Sequence, residues 1–373
     1  MKYLFVNSVC GIRSTGRICT DLAYQLENQG HEVKIAYGRV EDVPEQFQKY
    51  AVRIGNNVDL KFHALRTRIL DGHGFGSKKA TKEFLKWADI YDPEVLWLHN
   101  IHGYYINIEL LFDWIKSRPQ MKVKWTLHDC WAFTGHCSYF TMAGCEKWKH
   151  MCEKCPQKRK YPTSILIDNS RNNFMRKRRA FTGVKDMTLI TPSKWLANLT
   201  RDSFLKEYPV EVNYNTIDTT VFKRTPSDFR DRYGLKNKKI ILGVASVWEE
   251  RKGLNDFLKL ADMINNNYVI VLVGLDVKQM KCCKDNIIGI KRTNNAKELA
   301  QIYTSADVFV NPTYEDNYPT VNLEAQACGT IIITYKTGGC PETIMNDKSR
   351  IVESGAENIW EAIKEICGDE GTN

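Results

Sequence analysis

Asp316-Asn317-Tyr318-Pro319-Thr320-Val321-Asn322-Leu323-Glu324-Ala325-Gln326-Ala327-Cys328-Gly329 carries the start, body and stop of one short helix. Asp316 or Asn317 can cap it, and Pro319 suits the first helical position, where no N–H is needed. Gly329 stands where a left-handed residue ends a helix. Apolar, β-branched runs flank it at 307–311 and 330–334, the pattern of strands buried on both faces. Strand, loop, helix and strand make a βαβ unit of a parallel sheet. Asp316 lies at the mouth of the helix and Glu324 eight positions on, in its body. A helix N-terminus offers free N–H groups and partial positive charge to a diphosphate. A carboxylate one or two turns in can accept both hydroxyls of a ribose. A plain α/β core helix with two surface acids would show the same spacing.

Together with Thr337-Gly338-Gly339-Cys340-Pro341-Glu342, this stretch closely resembles the E-x7-E segment of the family-4 retaining glycosyltransferases, the group 1 type found in bacterial polysaccharide synthesis. The first acidic position is Asp316, where many members carry Glu; Glu315 is one residue early. The resemblance covers nearly the whole chain. It implies an α/β protein of GT-B fold, with two Rossmann-like domains facing an inter-domain cleft. Residues 1–210 would form the acceptor-side domain, with a cysteine-rich insertion at about 130–160. Residues 211–360 would bind the nucleotide sugar, and 361–373 would be a helix end and tail. It implies that Asp316 holds the donor sugar and Glu324 the ribose. Asn317, Tyr318, Pro319 and Thr320 would lie beside the diphosphate at the helix N-terminus.

The chain has 373 residues, 43% of them hydrophobic, enough for two separate cores. It has no apolar run long enough for a transmembrane helix, and the opening strand is too short for a signal segment. The expected location is cytoplasmic, with at most peripheral contact at the inner face of the cell membrane. The twelve cysteines are then expected as thiols or metal ligands rather than disulfides. Net charge is +9, and residues 1–210 hold 33 Lys and Arg against 21 Asp and Glu. A basic first half points to an anionic partner such as a lipid-diphosphate acceptor or a membrane surface. A solvated surface gives the same excess, and no nucleic-acid partner is expected.

In the first half, residues 2–7 read as a strand, followed by a Gly-containing loop that opens a helix, without the G-x-G-x-x-G spacing of a dinucleotide site. Gly16 in that loop can permit close approach of phosphates, or serve an ordinary turn. Residues 59–70 and 78–90 show helical apolar periodicity. Gly72-His73-Gly74-Phe75-Gly76 between them reads as a flexible, lid-like loop. The strand at 122–127 ends in His128-Asp129; the resemblance implies that His128 faces the transferred sugar, with Asp129 or a carbonyl fixing its tautomer. The basic, aromatic-laced segment 169–185 reads as an amphipathic helix facing either an anionic membrane or solvent.

Cys137, Cys145, Cys152 and Cys155 have C-x7-C-x6-C-x2-C spacing, with His136 as an alternate ligand. These are ligand types of a structural zinc site; free buried thiols or disulfides remain open readings.

In the second half, the family carries an Arg directly after the first strand and a Lys six residues on, both on the donor diphosphate. Lys252 matches the second, Ser246 departs from the first, and Arg251 can reach back to replace it. Gly274 and Thr293 resemble the family's base-side positions. The expected activity is retaining transfer of a hexose from a nucleoside-diphosphate sugar, UDP favoured, to a hydroxyl of a glycan or lipid-linked acceptor. Capsule, O-antigen or exopolysaccharide synthesis is the implied setting. His128, Asp316 and Lys252 are the expected catalytic residues. Lys252, Arg251 and the helix N-terminus would neutralise the leaving diphosphate, so no catalytic metal is expected. Two other classes stay open: a nucleotide-sugar epimerase or phosphorylase of similar fold, and a zinc-containing nucleic-acid-binding protein.

Overall fold

The computed structural model describes residues 1–39 and 42–368. The expected tail beyond residue 368 lies outside them. Backbone contacts divide the chain after Asn213 into two compact units.

The first unit is built on seven parallel strands: β1 Lys2–Val6, β2 Glu32–Tyr37, β3 Ala51–Arg53, β4 Val95–Leu98, β5 Lys122–Thr126, β6 Met187–Thr191 and β7 Val210–Val212. Their order is β3-β2-β1-β4-β5-β6-β7. Six helices connect them: α1 Arg13–Asn28, α2 Asn57–Leu70, α3 Lys78–Tyr91, α4 Ile108–Lys116, α5 Ser170–Phe181 and α6 Lys194–Asp202. Central strands such as β4, Val-Leu-Trp-Leu, are buried along their whole length, as a sheet covered on both faces requires. Separate apolar clusters occupy its two sides.

The second unit repeats the plan with β8 Lys239–Val244, β9 Tyr268–Val273, β10 Ile287–Ile290, β11 Val308–Asn311, β12 Ile331–Tyr335 and β13 Arg350–Val352. The order is β10-β9-β8-β11-β12-β13, all parallel. Its helices are α7 Phe229–Arg232, α8 Leu254–Met263, α9 Val277–Met280, α10 Ala296–Ser305, α11 Thr320–Ala327 and α12 Ala356–Cys367. Strand order reverses between β8 and β11, and open α/β sheets bind ligands beyond the carboxyl ends of strands at such a point.

One expectation for the first unit is corrected. The loop from Asp71 to Gly76 is buried, not a flexible lid. His63 pins it: Nε2 accepts from the Gly74 and Gly76 N–H groups at 3.2 Å each, and Nδ1 lies 2.9 Å from Ser77 Oγ. The two N–H donors require an unprotonated Nε2, and burial pushes the His63 pKa down to about 4. Helix α5 is amphipathic, with Arg171, Arg178 and Arg179 exposed and its aromatic side inside. Phe174 and Phe181 are in the core, and Arg176 pairs with Glu109 and stacks on Phe75. Lys177 points inward and donates to the Trp131 and Thr134 carbonyls at 2.7 and 3.0 Å.

Candidate active site

In the second unit, the loops after β8 and β11 meet at the switch point. Lys252, from the first, lies 2.5 Å from Asp316 Oδ2, from the second. Both side chains are mostly buried. Burial works to raise the Asp316 carboxyl, but the charges of Lys252 and Arg251 outweigh it and hold the group below the usual carboxylate range. Asp316 is therefore an anion at neutral pH. Arg251 donates through Nη1 to the Glu315 carbonyl at 2.9 Å, and its Nε is 3.1 Å from Glu249. The Arg251 carbonyl in turn accepts from Tyr314 N–H at 2.7 Å and from Thr313 Oγ at 3.1 Å. The two loops are thus laced through backbone as well as charge.

Two glycines make that lacing possible. Gly253 has φ +75° and Gly338 φ +54°. A Cβ at Gly253 would collide with the Pro312 carbonyl, and one at Gly338 with the Asp316 carbonyl. Gly339 N–H donates to that same Asp316 oxygen at 3.2 Å. Asp316 is thereby held between the loops after β8 and β12.

Asn317 N–H is 2.8 Å from Asp316 Oδ1. Pro319 is the residue that enters α11, with φ −67°, and Thr320 is its first helical residue. Gly329, at φ +82°, follows the end of the helix. Asn317, Tyr318 and Pro319 are buried where the chain turns into the helix. Glu324 is partly exposed on α11, and Tyr303 of α10 donates to its Oε2 at 3.2 Å. Asn322 anchors the helix from the other side: its Oδ1 accepts from Asn311 and its Nδ2 donates to Thr343, each at 2.8 Å. Tyr303 was not legible as a site residue, since it lies 21 positions from Glu324 with no motif of its own.

Ser246, where the family arginine was expected, is exposed, and Arg251 is the cation that reaches the β11 loop. Gly274, at φ +99°, is packed so that a Cβ would strike the Ala245 carbonyl at the end of β8. Thr293 is half-buried just before Asn294, whose backbone and side chain both bond Glu298 at the start of α10. These two positions follow the carboxyl ends of β9 and β10.

In the first unit, Gly16 is buried in the first turns of α1, and its carbonyl accepts from Gly11 N–H at 3.3 Å. His128 stands at the end of β5. His99 Nδ1 is 3.0 Å from His128 Nε2, with the rings stacked at 5.3 Å, so one proton is shared between them. Burial pushes His128 down to about 4. Asp129 pairs instead with His102, at 3.1 Å, while Tyr161 lies 3.2 Å from the other nitrogen of His102. The group expected to set the His128 tautomer is thus engaged with a second histidine.

The cysteine insertion also departs from expectation. All twelve cysteines are free thiols. Cys137, Cys145, Cys152 and Cys155 line one small cavity with His136. Among the described residues, however, no group of three or more His, Cys, Asp or Glu is placed to hold a metal ion. The expected tetrahedral set is therefore not formed. Cys137 hydrogen-bonds Cys155 instead, which holds the Cys155 thiol down to about 7, and His136 is bound at 2.5 Å by Asp71. The insertion keeps its shape through aromatic packing: Phe133, Phe140 and Trp148 are buried together, with Phe140 and Trp148 stacked at 4.9 Å.

Residues 227–373 match the family model described as glycosyl transferases group 1. The putative colanic acid biosynthesis glycosyl transferase WcaC of Escherichia coli is 24% identical over 271 residues, 70% of this chain and 64% of that protein. The N,N'-diacetylbacillosaminyl-diphospho-undecaprenol alpha-1,3-N-acetylgalactosaminyltransferase of Campylobacter jejuni is 27% identical over 148 residues, 38% of this chain and 39% of that one. The chain thus spans less than two thirds of the length of these curated relatives. Among solved structures, sucrose-phosphate synthase from Thermosynechococcus elongatus superposes with TM-score 0.71 at 15% identity, covering 99% of this chain and 90% of that one. Anabaena HepE in complex with UDP-glucose gives 0.66 at 13%, over 99% and 90%. The likeness to these structures is one of fold.

Proposed function

Because residues 227–373 match the glycosyl transferases group 1 family model and both units carry the GT-B type of parallel sheet, we propose that the chain is a retaining hexosyltransferase. The donor is a nucleoside-diphosphate sugar, UDP favoured. The acceptor is a hydroxyl of a glycan or lipid-linked carrier in surface-polysaccharide synthesis. A relative is named for colanic acid biosynthesis and another for an undecaprenol-diphosphate-linked acceptor, and a fold neighbour was solved with UDP-glucose; these support the reading.

The single observation that carries it is the Lys252–Asp316 ion pair at the switch point, with Glu324 on the helix that follows. As the sugar–phosphate bond lengthens, negative charge grows on the diphosphate. Lys252, Arg251 and the free N–H groups at the start of α11 are the groups available to stabilise it. Glu324, oriented by Tyr303, accepts from the ribose hydroxyls, and Asp316 from hydroxyls of the donor sugar. Retention follows from attack on the face the diphosphate leaves, with the departing phosphate oxygen taking the acceptor proton. In the first unit, His128 is uncharged at neutral pH and offers a neutral imidazole rather than a cation at the end of β5.

The test is the slow hydrolysis of candidate donors in the absence of acceptor, followed by proton NMR of the anomeric centre. The reading expects UDP release with the sugar first appearing as the anomer present in the donor. Inverted sugar, or epimerised donor with no diphosphate release, would defeat it.

A further inference from the structure

Helix α2 has its amphipathicity turned outward. Asn56 starts it with a capping box, accepting from the Val58 and Asp59 N–H groups while Asp59 accepts from Asn56 N–H. His63 and Thr67 form its buried side. Val58, Phe62, Leu65 and Ile69 are exposed by 59, 68, 53 and 38%. At about 100° per residue these four fall within an arc of about 60°. Lys61 and Arg68 border one edge of that arc and Arg66 the other, all three exposed. Asp59 is the only acid on the helix, and it is engaged in the cap.

A second segment extends the apolar face. Ile165 N–H donates to the Arg68 carbonyl at 2.7 Å and Ile167 N–H to the Ile69 carbonyl at 3.3 Å. This lays residues 165–167 along the last turn of α2. Ile165, Leu166 and Ile167 are 57, 66 and 45% exposed. Lys158 bonds the Leu166 carbonyl, and Arg159 and Lys160 are exposed beside it in sequence. Asp168, the nearby acid, accepts from the Cys155 and Ser170 N–H groups and so turns its charge toward the insertion.

We propose that α2 and residues 165–167 together form the surface by which this chain lies on an anionic lipid bilayer. Contiguous exposed apolar side chains mark an interaction face rather than ordinary surface. The cationic border decides the occupant. Lys61, Arg66 and Arg68 edge the apolar stripe and its one acid is held in the cap, so the face is complementary to the acyl boundary and headgroup charge of an anionic leaflet. A helix of 14 residues, about 21 Å long, lies flat in that boundary and does not cross it. No helix among the described residues is long and apolar enough to cross a membrane. This inference stands apart from the donor reading, because lipid binding needs no nucleotide sugar.

The experiment is flotation of the full chain with vesicles containing about 30% phosphatidylglycerol in phosphatidylcholine, and with phosphatidylcholine alone. The chain is expected to float with the anionic vesicles, and less as salt is raised. Phe62→Ser, Leu65→Ser and Leu166→Ser combined should lower the bound fraction about tenfold, with the thermal midpoint unchanged because all three side chains are exposed. Arg66→Gln with Arg68→Gln should lower binding to anionic vesicles only, and decides the matter if the triple variant folds poorly. Failure of the chain to float, or equal flotation of these variants, would overturn the proposal. So would a lipid-free dimer that the triple variant converts to monomer, since the face would then be an interface between copies.

Discussion

Lys252 Nζ stands 2.5 Å from Asp316 Oδ2, and the two residues come from loops at the ends of adjacent strands β8 and β11. The cation that the proposed function assigns to a donor diphosphate is therefore paired with a carboxylate. On that proposal, donor binding loosens this pair and the diphosphate takes over the charge of Lys252.

That competition gives a sign to one substitution. Asp316→Asn removes the partner and the anion while keeping the shape. UDP alone should bind the variant more tightly, by roughly threefold to tenfold, since a like-charged neighbour is gone and Lys252 is released. Transfer should fall about a hundredfold, because the group assigned to the donor sugar has lost its charge. Calorimetric titration with UDP, beside a rate assay, checks both; weaker UDP binding would show that Asp316 does not compete with the diphosphate.

Tyr303 is 0% exposed and donates to Glu324 at 3.2 Å. Tyr303→Phe keeps the ring contacts with Phe222 and Phe309 and removes only the hydroxyl. A hydrogen bond to a carboxylate is worth about 1.5–3 kcal/mol, so donor affinity should fall at least about tenfold. An unchanged affinity would mean that Glu324 needs no orientation, or that it does not touch the donor.

The first unit should lose stability in mild acid. Burial pushes the His63 and His128 pKa values down to about 4, below the 6.5 of an unfolded histidine, and pushes His73 and His99 down as well. Between those values the unfolded chain binds protons that the native state refuses. Their contribution is therefore complete above about pH 6.5 and is lost as pH falls toward 4, up to about 3 kcal/mol for His63. His136 opposes this: burial lowers it, but Asp71 outweighs burial and raises it. Thermal melts from pH 7 to 5 should show the midpoint falling, with a shallower slope in His63→Gln; a flat profile would contradict the buried neutral histidines.

Much of this was legible in the chain. Runs such as Ile331 to Tyr335 cannot be solvated on either face, so a doubly covered parallel sheet follows from them directly. Gly329 follows the end of α11 where its backbone preference places it, while Pro319 stands as the N-cap, one residue before the first helical position, and neither Asp316 nor Asn317 caps the helix. What escaped reading depended on direction or distance. Periodicity in α2 shows that one side is apolar, not that it faces outward. The basic run of α5 looked like a surface helix, yet its aromatic residues and Lys177 are used inside. The glycines at 72–76 imply freedom, which the side chain of His63 removes from outside the loop. Cysteine spacing gives ligand types without positions, and packed aromatic rings hold that insertion instead.

On the proposed function, Lys252 and Glu324 hold the two ends of a nucleoside diphosphate. That placement is tested most directly by titrating UDP into the wild-type chain, Lys252→Ala and Glu324→Ala, in parallel with UDP lacking both ribose hydroxyls. The account predicts that each variant weakens UDP by about tenfold or more, and that removing the ribose hydroxyls costs the wild type the same but costs Glu324→Ala nothing further. If both variants bind UDP as the wild type does, or if the Glu324→Ala loss adds to that of the ribose hydroxyls, the donor site is not where these residues place it.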